Sequence, residues 1–366
     1  MQDARFFYGM ITNIDDNLGV LRERLEDLGL ADNTILIFMT DNGTAAGVKL
    51  DPDGFLTAGY NAGMRGKKGS EYNGGHRVPF FIHWPDGKMD AGRDVEQITS
   101  YNDVFPTLID LCGLMGPEVE FDGRSISPLL KGDVANWPER IIITDTQRKD
   151  DPEKWKQCAI MTDKWHLIRG EELYDMVADP GQTNNMADQN AEYLEMLRTA
   201  YELWWEDISL DFDDYCEIII NTSAESPVCI RSHDWHTSGR PPWSQGHIRT
   251  GKPGNGYWVL DVAEAGSYEF VIRRWPLETG LALNDSLPPG EAVDGGRPQP
   301  AGVSIRFTRA SMKAGAIEQS TDVNPEQQDV RFTFDLEPGE FRMQTWLEDE
   351  LGITRGAYYV YVTRIE

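Results

Sequence analysis

An apolar run, Ile35-Leu36-Ile37-Phe38-Met39-Thr40, stops at Asp41-Asn42-Gly43 and so sets a carboxylate beside an amide oxygen at the end of a predicted strand. Two readings of these three residues compete. Asp-Asn-Gly at a strand end is ordinarily a turn, because Asp and Asn bond their own backbone and all three tolerate positive φ. Strands of an open α/β sheet also present ligands at their carboxyl ends. There, the two oxygens would form half a site for a hard cation such as Ca²⁺ or Mg²⁺, with several more oxygens still needed. Downstream, residues 63–85, "GMRGKKGSEYNGGHRVPFFIHWP", place Arg65, Lys67 and Lys68 among glycines. Glycine lets backbone approach a ligand closely, and a lysine ammonium is a point charge suited to an oxyanion. Lys67 reads as a solvated loop charge, whereas Lys68 depends on its context. Farther on, His233, Asp234 and His236 with His247 are ingredients of a transition-metal site. Trp235, His236, Trp243 and Trp258 are candidates for stacking on a sugar, with core or loop packing as the alternative.

The elements that would carry these residues follow from periodicity. Phe7, Met10, Ile14, Leu18, Leu21, Leu25 and Leu28 recur at three- and four-residue steps, an amphipathic helix closed by Gly29. The strand that follows is continuously apolar, the pattern of an α/β sheet strand covered on both faces. "YNDVFPTLIDLCGL" predicts a helix with Asn102-Asp103 as caps, and Leu194, Leu197, Tyr201, Trp204 and Ile208 mark another that packs back on the sheet. After about residue 210 the texture changes to short β-branched and aromatic runs, "CEIIINT", "YWVLDV", "SYEFVIRRW", "RFTFDL", "FRMQTWL" and "AYYVYVTRI". These predict a mostly antiparallel β-sandwich containing a Pro/Gly-rich loop at 284–300. The reading is therefore an α/β domain over 1–209 and a β-rich domain over 210–366.

Bulk chemistry narrows the partners. With 34 basic and 61 acidic residues, the net charge of −27 disfavours nucleic acid and anionic membrane surfaces. No apolar stretch is long enough for a membrane span, and "MQDARFFYGM" is not a signal peptide. Cys112, Cys158, Cys216 and Cys229 have no metal or redox spacing. Cys216 and Cys229 lie in neighbouring predicted strands where a bridge is conceivable; buried free thiols are the simpler expectation.

Taken in order, "DNLGVLRERLEDLGLADNTILIFMTDNG", "MRGKKGSEYNGGHRVPFFIHWP", "YNDVFPTLIDLCGL", "FDGRSISPLL" and "ELYDMVADPGQTNNMA" resemble the C-terminal half of a type I sulfatase, the arylsulfatase family of the alkaline phosphatase superfamily. The resemblance covers residues 4 to about 208 and implies part of that superfamily's α/β/α sandwich. It implies that Asp41 and Asn42 donate two ligands to Ca²⁺. Lys68, in the R-G-x-K-G motif with Arg65 and Gly66, would contact the sulfate, with Arg65 and His76 as further substrate-binding residues. Metal and lysine together would neutralise the ester and its developing charge. Arg77 is expected to brace the loop, and His166 to be structural. Asn73 stands where the family often has Glu.

One departure bears on activity. The family's formylglycine nucleophile arises from a C/S-x-P-x-R motif, and no cysteine or serine of this sequence opens one; Ser286-Leu287-Pro288 ends at Gly290 where Arg is required. The nucleophile and the paired aspartates that complete the metal site are expected in an N-terminal part this sequence lacks. The expectation is thus a sulfatase fragment without turnover of its own. Its substrate class would be a sulfated glycan or small molecule, and a periplasmic or extracellular location follows from the family alone. A phosphatase or phosphodiesterase of the same superfamily usually uses two transition metals with more His and Asp ligands, and histidines are few in the first 200 residues. A non-catalytic carbohydrate-binding or structural fragment is the reading from another class.

Overall fold

The computed structural model describes residues 2–90, 92–147, 149–220, 225–291 and 298–365. The chain divides into two units, residues 1–147 with 153–209, and residues 148–152 with 210–366.

The first unit opens with helix α1 (Gln2–Asp27). Gly29, at φ 67°, ends it as expected, with its N–H on the Glu26 carbonyl and that of Leu30 on Leu25, both at 2.9 Å. The predicted apolar stripe is only partly covered: Phe7, Leu18 and Leu25 are half-buried, whereas Met10, Ile14 and Leu21 are exposed. Strand β1 (Leu36–Met39) is followed by the hairpin β2 (Val48–Leu50) and β3 (Leu56–Gly59), the single-turn helix α2 (Asn73–His76) and β4 (Phe80–His83). β4 pairs antiparallel with β1, from Leu36↔His83 to Met39↔Phe80. Here the structure corrects an expectation: β1 is half-buried throughout, not covered on both faces. Ile35, Ile37, Phe80 and Ile82 meet Val104, Leu108 and Leu111 around one small cavity, while Phe81 on the alternate face is 63% exposed. Those three partners belong to helix α3 (Val104–Cys112), so an unbroken apolar run here serves a strand with one covered face.

The caps of α3 also differ from expectation. A 3-10 turn, Tyr101–Asp103, precedes the helix and is capped by Ser100, with Asp103 completing a capping box. Asp103 is fully buried. Its carboxylate accepts from the N–H of Ser100 (2.7 Å) and Arg124 (2.9 Å) and from the Arg140 guanidinium (2.8 Å). Helix α4 (Ser127–Leu130) precedes an antiparallel sheet in sequential order: β5 (Ile142–Asp145), β6 (Cys158–Met161), β7 (Trp165–Ile168) and β8 (Glu172–Asp175). One face of that sheet, Cys158, Ile160, Leu167 and Leu173, packs on Leu197 and Tyr201 of helix α5 (Ala191–Ile208), as the periodicity predicts. Its other face, Ala159, Met161, Ile168 and Tyr174, packs on Tyr72 beside the lysine loop.

The second unit contains β9 (Ile218–Ile220), β10 (Val228–Arg231), helix α6 (Gln245–Arg249), β11 (Tyr257–Val262), β12 (Gly266–Arg273), β13 (Phe307–Ala314), β14 (Ile317–Asp322), β15 (Val330–Leu336), β16 (Gly339–Asp349), β17 (Thr354–Arg355) and β18 (Tyr359–Arg364). Two sheets, ordered β14-β13-β16-β11-β9 and β10-β18-β12-β15, enclose a core of Trp258, Leu260, Phe270, Phe332, Met343 and Val360. Pairing is antiparallel except between β9 and β11. Alternating burial along β15 and β16 gives the sandwich its inner face. Of the loop at 284–300, residues 292–297 lie outside the described residues, as do Asn221 and Thr222 of "CEIIINT". The four cysteines are free; Cys158 is buried, but Cys112 and Cys216 are exposed. No described helix is long and apolar enough to cross a membrane.

The Asp103–Arg140 pair generates a stability prediction. Asp103→Ala strands a buried guanidinium and uncaps the turn before α3, so urea unfolding should report a loss of about 3–5 kcal/mol. A variant within 1 kcal/mol of wild type, on the order of a surface substitution, would contradict this reading.

Candidate functional site

The loop after β1 and the lysine loop are laced together by backbone. Gly43 donates to the Gly75 carbonyl at 2.9 Å, Lys68 donates to the Thr44 carbonyl at 3.0 Å, and Gly74 donates to the Arg65 carbonyl at 2.7 Å. Glycine is required because the strands of chain touch. A Cβ on Gly43 would lie 1.8 Å from the Gly74 carbonyl oxygen, and one on Gly74 would lie 2.2 Å from that of Gly66. One rim of the unit thereby carries Asp41, Asn42, Lys67 and Lys68. Asp41, Lys67 and Lys68 are exposed and Asn42 is half-buried.

Arg65 braces that rim from below. Its Nε donates to the Asp53 carbonyl at 2.8 Å, and Nη1 reaches Tyr174 Oη at 2.8 Å, the Gln182 carbonyl at 3.3 Å and the Glu172 carboxylate at 3.4 Å. The guanidinium also lies 3.9 Å from the Tyr72 ring centroid and 4.7 Å from that of Phe55. Glu172 additionally accepts from Tyr72 (2.9 Å), Tyr174 (2.5 Å) and Arg169 (2.8 Å). Burial alone would raise its pKa, but these hydrogen bonds outweigh it and hold the carboxyl below the usual range. Burial, and then Glu172, push Tyr72 up to about 12. Arg65, expected on substrate, is engaged with the fold; Arg77, expected to brace, is exposed, and among the described residues its guanidinium has no hydrogen bond or ion pair.

His76 lies behind the rim. Both ring nitrogens are buried without hydrogen-bond partners among the described residues, and burial lowers its pKa to about 4. His166 is structural, as expected. Its Nδ1 sits 3.0 Å from Asn73 Oδ1, and burial, then His76 and Arg77, lower it to about 3. Asn73 is the family-divergent position, and its role is now visible: fully buried, it bonds His166 through its side chain and Gln182 Oε1 through its N–H at 2.9 Å. A neutral amide suits this enclosed place, where a carboxylate would face desolvation.

Tyr101 joins the rim without any sequence signal of its own. Its hydroxyl donates to the Thr40 carbonyl, and burial, with the Asp41 charge, raises its pKa. The side-chain oxygens of Asp41 and Asn42 suit a hard cation in kind and have no hydrogen-bond partner among the described residues, while the Asn42 carbonyl accepts from Thr40 Oγ1 at 3.2 Å. They are two of the roughly six to eight that Ca²⁺ takes, and no group of three His, Cys, Asp or Glu able to hold a metal occurs among the described residues.

The second unit's candidates are not brought together. His236 lies 3.6 Å from Asp150 and stacks on Tyr257, His233 reaches Asp234 at 4.0 Å, and His247 lies against Trp243. As sugar-stacking residues Trp235 and Trp258 are ruled out by burial, at 5% and 0% exposure; Trp243, at 65%, stays accessible.

Comparison with known proteins places sulfatase sequence on this geometry. The sulfatase family model matches residues 2–114, and the N-sulphoglucosamine sulphohydrolase C-terminal model matches residues 67–203. The steryl-sulfatase of Mus musculus is 41% identical over 125 residues, 34% of this chain and 20% of that protein. An arylsulfatase of Clostridium perfringens is 30% identical over 198 residues, 52% of this chain and 37% of that protein. An N-acetylgalactosamine-6-O-sulfatase of Bacteroides thetaiotaomicron is 30% identical over 213 residues, 53% of this chain and 40% of that protein. The chain thus spans between a fifth and two fifths of the length of these relatives.

Two expected outcomes follow from the geometry. Gly74→Ala should cost about 2 kcal/mol or more in urea unfolding, because the new methyl meets backbone carbonyls that have no room to yield. Stability should also fall with acid. The unfolded chain protonates His76 and His166 below about pH 6.5, but the fold keeps them neutral to about 4 and 3. Their contribution is complete above pH 6.5 and is lost as pH drops toward those values, by about 1.4 kcal/mol per pH unit for each ring. Urea midpoints measured from pH 7.5 down to 5 (~1.5 pH units across the imidazole range) test this, and a flat profile would refute it.

Proposed function

We propose that this chain, which matches the sulfatase family model over residues 2–114 and the N-sulphoglucosamine sulphohydrolase C-terminal model over 67–203, serves sulfuric ester hydrolysis by binding the sulfate group. The single observation that supports this best is the backbone lacing of Gly43 to Gly75 and Lys68 to Thr44. It sets two hard oxygen donors and an unpaired lysine on the same rim. Lys68 binds the sulfate oxyanion, with its ammonium free of any carboxylate partner among the described residues. Arg65 and Glu172 hold the loop that presents it, and His76, neutral and with both ring nitrogens enclosed, supports that loop from behind. Asp41 and Asn42 would hold Ca²⁺, which when bound supplies positive charge against the sulfate and the developing negative charge on the leaving oxygen.

The substrates named for the relatives, steryl, aryl and glycan sulfates, share the sulfate monoester. We assign this chain the same group on a carbohydrate or aryl carrier. No C/S-x-P-x-R motif occurs in the 366 residues, so the chain as given is proposed to bind sulfate esters without turning them over. Glycan binding by the β-sandwich is a second reading, favoured by the 65% exposure of Trp243.

Titration calorimetry with inorganic sulfate and with an aryl sulfate tests the proposal. Lys68→Ala should weaken both at least about tenfold, the scale of one charge-assisted hydrogen bond, while Lys67→Ala changes little. Equal losses in both variants would reduce the site to diffuse electrostatics. Release of phenol by the purified chain would overturn the absence of turnover.

A further inference from the structure

Between residues 226 and 260 the charge of the chain reverses locally. Arg231, Arg240, Arg249 and Lys252 stand there against one acid, Asp234, in a sequence of 34 basic and 61 acidic residues. The same stretch holds His233, His236 and His247, three of the six histidines, and the exposed Trp243.

The fold gathers part of this stretch into one patch of the second unit. The Trp243 ring meets the His247 ring edge-on, with centroids 5.7 Å apart. Lys252 donates its N–H to the His247 carbonyl at 2.9 Å, and its ammonium reaches the Arg240 carbonyl at 3.4 Å. Burial, and then the Lys252 charge, lower the pKa of His247. Arg240 and Trp243 are exposed, whereas His247 and Lys252 are half-buried. No carboxylate pairs with Arg240, His247 or Lys252 among the described residues, and Asp234 lies beside His233 at 4.0 Å. The backbone under the patch is well anchored. Pro241 and Pro242 fix φ ahead of Trp243, and Ser232 Oγ donates to the Pro242 carbonyl at 2.9 Å. Ile248 of α6 is buried in a cluster with Trp275 and Tyr358. Arg274 donates to the Arg249 carbonyl at 3.3 Å, and Arg355 to that of Gly251 at 2.9 Å.

Charge and shape together select the ligand. An indole presents a flat apolar face on which the apolar face of a sugar ring can stack, and guanidinium and ammonium groups bind the oxyanions such a ring carries. Nucleic acid offers similar chemistry, but its charge runs well past the patch, where the acidic chain repels it. We propose that Arg240, Trp243, His247 and Lys252 form a binding patch for a sulfated oligosaccharide, with Trp243 stacked on a sugar ring and Arg240 and Lys252 paired to its sulfates. The inference rests on the glycan reading of the β-sandwich, with sulfate as the anion because the first unit is proposed to bind sulfate esters.

Titration calorimetry with a κ-carrageenan hexasaccharide and its desulfated form tests this. The full chain carries Lys68→Ala throughout, so that sulfate held at the other rim does not contribute. The sulfated form should bind at least about tenfold more tightly than the desulfated one, the scale of a lost charge-assisted contact. Trp243→Ala should weaken both forms by a similar factor, about tenfold. Arg240→Gln combined with Lys252→Gln should bring the sulfated form down to the affinity of the desulfated one and leave the latter unchanged. Thermal melts of these variants should match the parent, so that the loss is one of binding and not of folding. Equal affinity for the two forms, with Trp243→Ala still weakening both, overturns the sulfate assignment and leaves the glycan reading standing. Failure of both forms to bind overturns the two together. An oligothymidylate or a galacturonate hexasaccharide bound as tightly as the carrageenan also overturns the proposal.

Discussion

Close backbone contact at Gly43, Gly74 and Gly75 is the constraint on which the rest of the site depends. A β carbon at any of the three would lie within 2.2 Å of a carbonyl oxygen, so only glycine lets the post-β1 loop and the lysine loop share hydrogen bonds. Without that approach Asp41 and Lys68 would sit on separate loops, each solvated and each free to move. The glycines that flank the lysines are therefore needed first for packing. Their usefulness to a ligand follows from the rim that the packing creates.

The brace beneath the rim works by concentrating charge where water is scarce. Glu172 collects two phenols and two guanidiniums, and its charge keeps Arg65 beneath the loop as much as any single hydrogen bond does. Sequence distance hides this arrangement, because Arg65 and Glu172 lie far apart in the chain and meet only when β8 packs its Tyr174 against Tyr72. Behind it, His76, His166, Asn73 and Gln182 form a polar layer in which several side-chain nitrogens have no partner among the described residues. Neutral groups are the ones this layer can hold, since an ion there would lose its hydration without gaining an opposite charge.

Local patterning made much of the fold legible. The three- and four-residue steps marked α1 and α5, and β-branched and aromatic runs marked β11, β12, β15, β16 and β18. Polar strands escaped: β14, "IEQSTD", is mostly exposed and carries no periodic signal, and it is a strand because β13 pairs with it. The apolar run of β1 misled for a related reason, since composition reports how hydrophobic a strand is, not how many layers cover it. The site was legible where a residue's neighbours in sequence are its neighbours in space, as for Asp41-Asn42 and the lysine loop. It was illegible where function passes through tertiary contact. Tyr101 reads as an ordinary helix-entry residue although its hydroxyl meets the Thr40 carbonyl, and no spacing rule connects Arg65 to Glu172. The indoles show the same limit: nothing in the letters separates buried Trp258 from exposed Trp243.

The sulfate binding proposed for this rim would pose an electrostatic problem for so acidic a protein, which local pairing would have to answer. The net charge of −27 is spread over the whole chain, and at physiological salt a charge is screened beyond about 8 Å. What an arriving sulfate meets is therefore set by its immediate neighbours. Two carboxylates beneath the lysine loop have cationic partners: Glu71 pairs with Arg169 at 3.3 Å, and Glu172 with Arg169 and Arg65; Asp41 on the rim has none among the described residues. Lys67, Lys68 and Arg77 have no such partner among the described residues and are exposed. For the sulfate binding proposed above, the charges that matter are therefore local, and the glycine contacts that hold the lysine loop against the post-β1 loop decide which charges share the rim.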